Sequence, residues 1–127
     1  MFTHIIVGAN DVEASRKFYD AVLGALGHEP GSGPDARGRY WWRTRMGSFA
    51  VGQPIDGEAA CHANGGTIGF GAKTSDMVQA FHDAGAAAGG TAIEDPPGER
   101  NGPFGTLNLA YLRDPSGNKI CAMHRAG

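Results

Sequence analysis

The residues best equipped for chemistry lie in four places along the chain. His4 opens the apolar run HIIVG with an imidazole that can bind a metal or move a proton near neutral pH. Cys121 sits in the closing run KICAM. Between them, RGRYWWRTR (37–45) gathers four of the eleven lysines and arginines with three aromatics. Strand alternation puts Arg39, Trp41, Arg43 and Arg45 on one face and Tyr40, Trp42 and Thr44 on the other. If the first set lines a cavity, Arg43 can pair with a carboxylate or phosphate while Trp41 stacks on an apolar ligand body. On the competing reading, Tyr40 and Trp42 pack beneath a helix and the arginines are merely solvated. The fourth place, EDPPGERNGPFG (94–105), reads as a long irregular loop of the kind that closes over a ligand. Arg100 and Phe104 would be its contacts, and Asp95 or Glu99 a candidate base.

The remaining histidines carry weaker signals. His62, beside Cys61, is a solvated linker residue or one that folds over the cavity. His82 reads as an exposed helix residue, His28 as a strand-edge one, and His124 as pointing away from the face of Cys121. Cys61 and Cys121 show neither CxxC nor framework spacing, so two reduced thiols are expected rather than a bridge.

The elements that must position these groups emerge from an internal repeat. Residues 3–27 lie on 66–90 without a gap, with identical pairs Ile5/Ile68, Gly8/Gly71, Ala9/Ala72, Phe18/Phe81, Asp20/Asp83, Ala21/Ala84, Ala25/Ala88 and Gly27/Gly90. His4 then meets Thr67. Each copy begins with a β-branched run, HIIV or TIGF, that suits a strand. A helix follows: in the first copy Asn10 and Glu13 make a capping box, and Val12, Ser15, Phe18, Tyr19, Val22, Leu23 and Leu26 recur at helical spacing as far as Gly27. In the second, Thr74 or Ser75 caps, and Met77, Phe81, Ala84 and Ala88 form the inner face before Gly89 and Gly90.

After each helix come a short run (HEP or TAIED), a Gly/Pro-rich loop and two strands joined by a tight turn. The tails align as well, pairing Trp41 with Tyr111, Arg43 with Arg113, Val51 with Cys121 and Gln53 with Met123. Asp114, Pro115, Ser116 and Gly117 supply turn chemistry. Each half therefore reads β-α-β-β-β: module 1 over about 1–55, a linker over 56–64, and module 2 over 65–127. The class is α+β. One helix cannot cover both faces of such a sheet, so two halves must cooperate, within a chain or between chains. The expected result is two curled mixed sheets around a central cavity with the helices outside. The cavity face would carry Phe2, His4, Ile6, Thr67, Gly69, Gly71, Lys119, Cys121 and Met123. Gly69 and Gly71 either open its wall to a ligand or make room for Trp41 or Trp42.

A chain of 127 residues with 41% apolar content can build one core as a single domain. Its formal net charge of −2 gives no global field that would attract nucleic acid or an anionic membrane. No apolar run approaches the length of a membrane span, and MFTHIIVG lacks the features of a secretory leader, so a cytoplasmic location is expected.

The opening HIIVGANDVEASRKFYDAVLGALG and the closing YLRDPSGNKI resemble the vicinal oxygen chelate superfamily, which includes glyoxalase I, extradiol dioxygenases and bleomycin resistance proteins. The likeness spans nearly the whole chain. It implies the paired-module fold and a divalent metal (Zn, Ni, Mn or Fe) held by side chains from the first and last strands of both modules. Carried over by position, those ligands fall on His4, Val51, Thr67 and Cys121, with Gln53 the nearest side chain to Val51 on its face. Only His4 is an ordinary ligand, and a catalytic zinc needs three. A rearranged set of His4, Cys121 and His62 or His124 is the other route to a metal.

Two functions follow from these residues. One is a glyoxalase-like lyase acting on a small oxygenated or thiol-conjugated molecule. There His4 and Cys121 are the catalytic candidates, and Trp41, Arg43, Thr67, Gly69, Arg100, Phe104 and Tyr111 form the binding surface. The other is a non-catalytic binder of a small molecule, of the bleomycin-resistance type. Dioxygenase chemistry is the weakest reading, since no facial triad of two histidines and a carboxylate is in evidence. A homodimer is expected, with a small molecule as the partner and neither nucleic acid nor membrane.

Overall fold

A computed structural model describes residues 1–103 and 105–126. Its elements are β1 (His4–Gly8), α1 (Val12–Ala25), β2 (Tyr40–Thr44), β3 (Gly47–Gly52), β4 (Ile68–Gly71), α2 (Ser75–Ala87), β5 (Thr91–Gly102), β6 (Gly105–Arg113) and β7 (Lys119–Arg125). They form two mixed sheets, ordered β1-β3-β2 and β4-β7-β6-β5. In each, the first strand runs parallel to the last and the remaining pairs are antiparallel. The class is α+β, as the repeat implied.

The two helices pack on each other and on one face of the sheets, α1 against β3 and α2 against β5, β6 and β7. Among the described residues no helix covers the other, open face of the two sheets. α1 buries Ser15, Phe18, Tyr19, Val22 and Leu23, the stripe expected from its spacing. α2 buries Val78, Phe81 and Gly85, a stripe displaced from the expected Met77, Ala84 and Ala88, which are half-buried. Gly85 is the reason: a Cβ there would lie 2.3 Å from Leu112 Cδ1 and 2.9 Å from Val22 Cγ1, so the absent side chain lets α1 and β6 close on α2.

Three local expectations are corrected. The cap of α1 is Asp11, whose Oδ1 accepts from Ala14 N, not Asn10. Asn10 instead clasps the linker, accepting from Ala60 N at 2.7 Å and donating to Ala60 O at 3.3 Å. The HEP strand is reduced to a single Ser32–Trp41 bridge, leaving the first sheet with three strands. Pro30 and Pro34 offer no N–H to a ladder, and the Gly31 amide donates to Asp20 Oδ1 instead. Finally, 94–102 is strand, not irregular loop: β5 pairs with β6 on either side of a bulge between Ile93 and Gly98. The bulge takes Pro96 and Pro97 out of the ladder, and Glu94 occupies the left-handed region at φ 60°.

The halves are tied together by the turn at Asp114–Asn118. Asp114 is buried and accepts from Tyr19 Oη at 2.6 Å, from Asn118 Nδ2 at 2.9 Å, and from the amides of Ser116 and Asn118. Asn118 Nδ2 also donates to Gly8 O at the end of β1. Burial, reinforced by the Asp114 carboxylate, holds the Tyr19 phenol well above its ordinary pKa. Among the described residues no helix is long and apolar enough to cross a membrane.

Candidate functional site

Strand register lays the open face of the first sheet out in ranks. His4, Ser48 and Arg43 are neighbours across β1, β3 and β2, and Ile6, Ala50 and Trp41 form the next rank. In the third, Gly8 and Gly52 pair, and a Cβ at Gly52 would come 2.4 Å from Arg39 Cγ, so the arginine stem lies flat on the glycine floor. Tyr40 and Trp42 turn the other way, toward α1, with Trp42 buried against Tyr19 and Phe49. One face of β2 is therefore core and the other is open.

Trp41 is the centre of that open face. The guanidinium carbons of Arg39 and Arg43 stand 5.4 and 4.5 Å from its ring, and the His4 ring is 6.1 Å away. Its Nε1 donates to Asp35 Oδ2 at 2.8 Å. Asp35 also accepts from Arg39 Nε and from the amides of Arg37 and Arg39. These donors, the Trp41 N–H foremost, hold the Asp35 carboxyl well below the usual carboxylate range. Arg39 is thus committed to Asp35, while Arg43 joins none of the ion pairs among the described residues. His4 is exposed, with Nδ1 2.8 Å from Thr3 Oγ1.

On the second sheet Cys121 lies between Gly69 and Tyr111 and is buried. A Cβ on Gly69 would sit 3.4 Å from its Sγ, so this glycine makes room for the thiol, not for either tryptophan. Burial pushes the thiol pKa up, partly offset by Lys119. Lys119 Nζ stands 5.0 Å from the Tyr111 ring and is ion-paired with Glu94. Burial, then the neighbouring Cys121 and Glu94 charges, raise the Tyr111 phenol.

Several expected site residues lie elsewhere. Val51 pairs with Val7 and Tyr40 and is fully buried on the helix side, so it cannot face the open side. The register makes Ala50, the partner of Ile6, the true counterpart of Cys121, the partner of Gly69. Thr67 precedes β4 and is exposed, as is Gln53 beyond β3. Arg100 donates to the carbonyls of Asp95 and Pro96, folding onto its own bulge and not over a cavity. Phe104 lies outside the described residues. His62 is exposed against the Asp114–Asn118 turn, 3.4 Å from where a Gly117 Cβ would be. His124 is on the helix side with Nδ1 3.1 Å from Ala72 O.

These placements decide how a divalent metal would fare. The four inherited positions offer one imidazole, a core valine, an exposed hydroxyl and a thiol whose ionisation burial opposes. Among the described residues no three of His, Cys, Asp or Glu converge. The rearranged set does not assemble either, since His62 and His124 sit at the turn and on the helix side. The donor set therefore does not fit a family-type metal centre.

A cleft of about 490 Å³ takes its lining from β1 and β4, an edge strand of each sheet, and from α1, β2 and β3. Its walls are apolar, with Leu23, Trp42, Phe49, Ile68 and Phe70, and its rim includes His4, Ser48, Gly69 and Gly71. The expected central cavity has its counterpart in this cleft, which Phe2, His4, Gly69 and Gly71 line, but sequence reasoning missed Ser48, Asp35 and the apolar walls. Strand alternation from His4 through the β2–β3 turn could have found Ser48, and the turn chemistry of an aspartate before Arg37 and Gly38 could have marked Asp35.

The Glyoxalase/Bleomycin resistance protein/Dioxygenase superfamily matches residues 2–122. The crystal structure of a glyoxalase/bleomycin resistance protein from Albidiferax ferrireducens T118 is 54% identical, with a TM-score of 0.94, covering 98% of this chain and 99% of that one. Two more distant structures share the fold. A glyoxalase/bleomycin resistance protein/dioxygenase family enzyme from Burkholderia phytofirmans PsJN is 16% identical, with a TM-score of 0.71 and 96% of each chain covered. Lactoylglutathione lyase from Agrobacterium tumefaciens is 18% identical, with a TM-score of 0.65, covering 96% of this chain and 91% of that one. No curated protein matches the chain.

Proposed function

Since the chain belongs to the Glyoxalase/Bleomycin resistance protein/Dioxygenase superfamily, we propose that it uses the family scaffold to bind a small planar anion without a metal. The observation that carries this is the Arg39–Trp41–Arg43 stack beside His4, set where the metal donors fail to converge. An indole face and a guanidinium with no carboxylate partner among the described residues recognise, respectively, a flat apolar body and a carboxylate or phosphate. Arg39 and Asp35 hold the indole in place beforehand, which lowers the ordering cost on binding.

A homodimer would supply the missing wall. The open face leaves Ile6 exposed, and a second copy laid over it would enclose the ligand. Light scattering at micromolar concentration checks this, with a monomeric mass counting against it.

The binding reading is tested by titrating chelator-treated protein with benzoate and following tryptophan emission, with and without added Zn²⁺. Saturable binding that is indifferent to the metal and lost in Trp41→Ala is expected; binding that appears only with metal would sink it. The catalytic reading, with His4 as general base, gains support only if the same protein turns over a thiol hemiacetal and His4→Gln abolishes that turnover.

A further inference from the structure

We infer that the polar rank and the cleft beneath it form one amphipathic site, in which Arg43 and Ser48 take a carboxylate and the space between β1 and β4 takes an aryl or short alkyl body. The inference rests on the reading of Trp41 and Arg43 as a binding surface and adds the class of ligand. His4 and Ser48 belong both to the rank that includes Arg43 and to the rim of the cleft, so head site and body site share an edge. Below that edge the apolar walls are Leu23, Trp42, Phe49, Ile68 and Phe70, with His28 and Thr44 as polar members of the lining. The volume, about 490 Å³, is within the range of small-molecule sites. Around the mouth Phe2 and Met46 are left 67% and 91% exposed, apolar surface with no cover of its own.

The charge at the rim selects the head. Arg43 has no carboxylate among the described residues, Ser48 offers a hydroxyl beside it, and the Glu94 carboxylate is already held by Lys119 on the second sheet. The Arg43 guanidinium with the Ser48 hydroxyl beside it suits a carboxylate in bidentate contact. A neutral molecule of the same shape would keep the apolar contacts and lose the head.

Three probes separate head from body: benzoate, 2-naphthoate and neutral 2-naphthalenemethanol, each titrated calorimetrically into the full chain. Gly71 lines the cleft, and a Cβ there meets nothing within 4 Å, so Gly71→Leu introduces a branched side chain at the cleft with no clash at its Cβ. In Gly71→Leu, 2-naphthoate and 2-naphthalenemethanol are expected to lose binding while benzoate stays within about twofold. In Arg43→Gln, both acids are expected to weaken about tenfold while the alcohol is unchanged. An unchanged far-UV circular dichroism spectrum and urea midpoint in Gly71→Leu serve as the folding control. Equal binding of 2-naphthoate to the parent and to Gly71→Leu overturns the cleft, and the Trp41–Arg43 surface survives if Arg43→Gln still weakens benzoate. Acids that bind Arg43→Gln as well as the parent overturn both.

Discussion

Trp41 and Trp42 are adjacent in the chain and answer to the same rule, yet one builds the core and the other builds a surface. Each sends its indole N–H to an aspartate, Trp42 to Asp20 at 3.0 Å and Trp41 to Asp35 at 2.8 Å. Trp42 is 3% exposed, packed with Tyr19 and Phe49, and its aspartate also gathers in the Gly31 amide. Trp41 has cations where Trp42 has aromatic neighbours, and its aspartate closes the loop that ends at Arg39. The lesson is that satisfying a polar atom says little about purpose. What lies over the ring decides it: hydrocarbon makes an anchor for the fold, and cationic groups make a platform for something else.

The largest test of this contrast is truncation at both positions. Trp42→Ala should cost about 3–5 kcal/mol in urea unfolding, the usual loss for a buried aromatic. Trp41→Ala should shift stability by under about 1 kcal/mol while abolishing benzoate binding. Comparable destabilisation by both would erase the distinction.

Next in size is the anchor on which Trp42 leans. Tyr19→Phe deprives Asp114 of one donor and should lower stability by about 1–3 kcal/mol near neutral pH. Because the Tyr19 pKa is raised in the fold, its contribution is complete below about pH 10, where a free phenol titrates, and is lost as pH rises beyond that. The gap between parent and variant should therefore narrow in alkali; a gap that widens there would contradict the assignment.

A smaller effect is expected from exchanging the two aspartates in turn. Asp35→Asn should red-shift the Trp41 emission and weaken benzoate severalfold at unchanged urea midpoint, whereas Asp20→Asn should lower the midpoint and leave binding alone. The depressed pKa of Asp35 adds a pH signature with a definite sign. The orientation it gives Trp41 is present above about pH 4, where an ordinary aspartate titrates, and should persist until the folded carboxyl itself protonates at lower pH. The smallest test compares the cysteines. Iodoacetamide on the native protein should alkylate exposed Cys61 and spare Cys121, which is buried with a raised pKa. Equal labelling would mean that the open face near Cys121 is wetter than described.

How much of this was legible in the sequence depended on whether the deciding contact was local. The stripe of α1 was readable because Phe18, Tyr19, Val22 and Leu23 sit at helical spacing and nothing distant overrides it. Val51 was misplaced because a gapless alignment cannot see that the turn at Asp114–Asn118 is one residue longer than the turn after Thr44. That extra residue moves the counterpart of Cys121 to Ala50. The tandem prolines at 96 and 97 read as loop because propensity does not reveal a bulge. The roles of Asp20 and Asp114 were invisible because each accepts from a group brought near by tertiary folding, whereas Asp35 accepts only from residues 37–41 and could have been read as a local turn. The cleft draws its walls from α1, β1, β2, β3 and β4, a combination that no single segment encodes.

The Asp114–Asn118 turn carries one more consequence. The residues that most clearly advertise ancestry in this chain are spent on fastening Tyr19 and Gly8, and they stand apart from Trp41 and Arg43. They testify to how the frame is joined and stay silent about what the frame holds. A lineage can therefore keep this signature intact while exchanging its chemistry at will, so kinship recognised by it is a guide to architecture and a poor guide to trade.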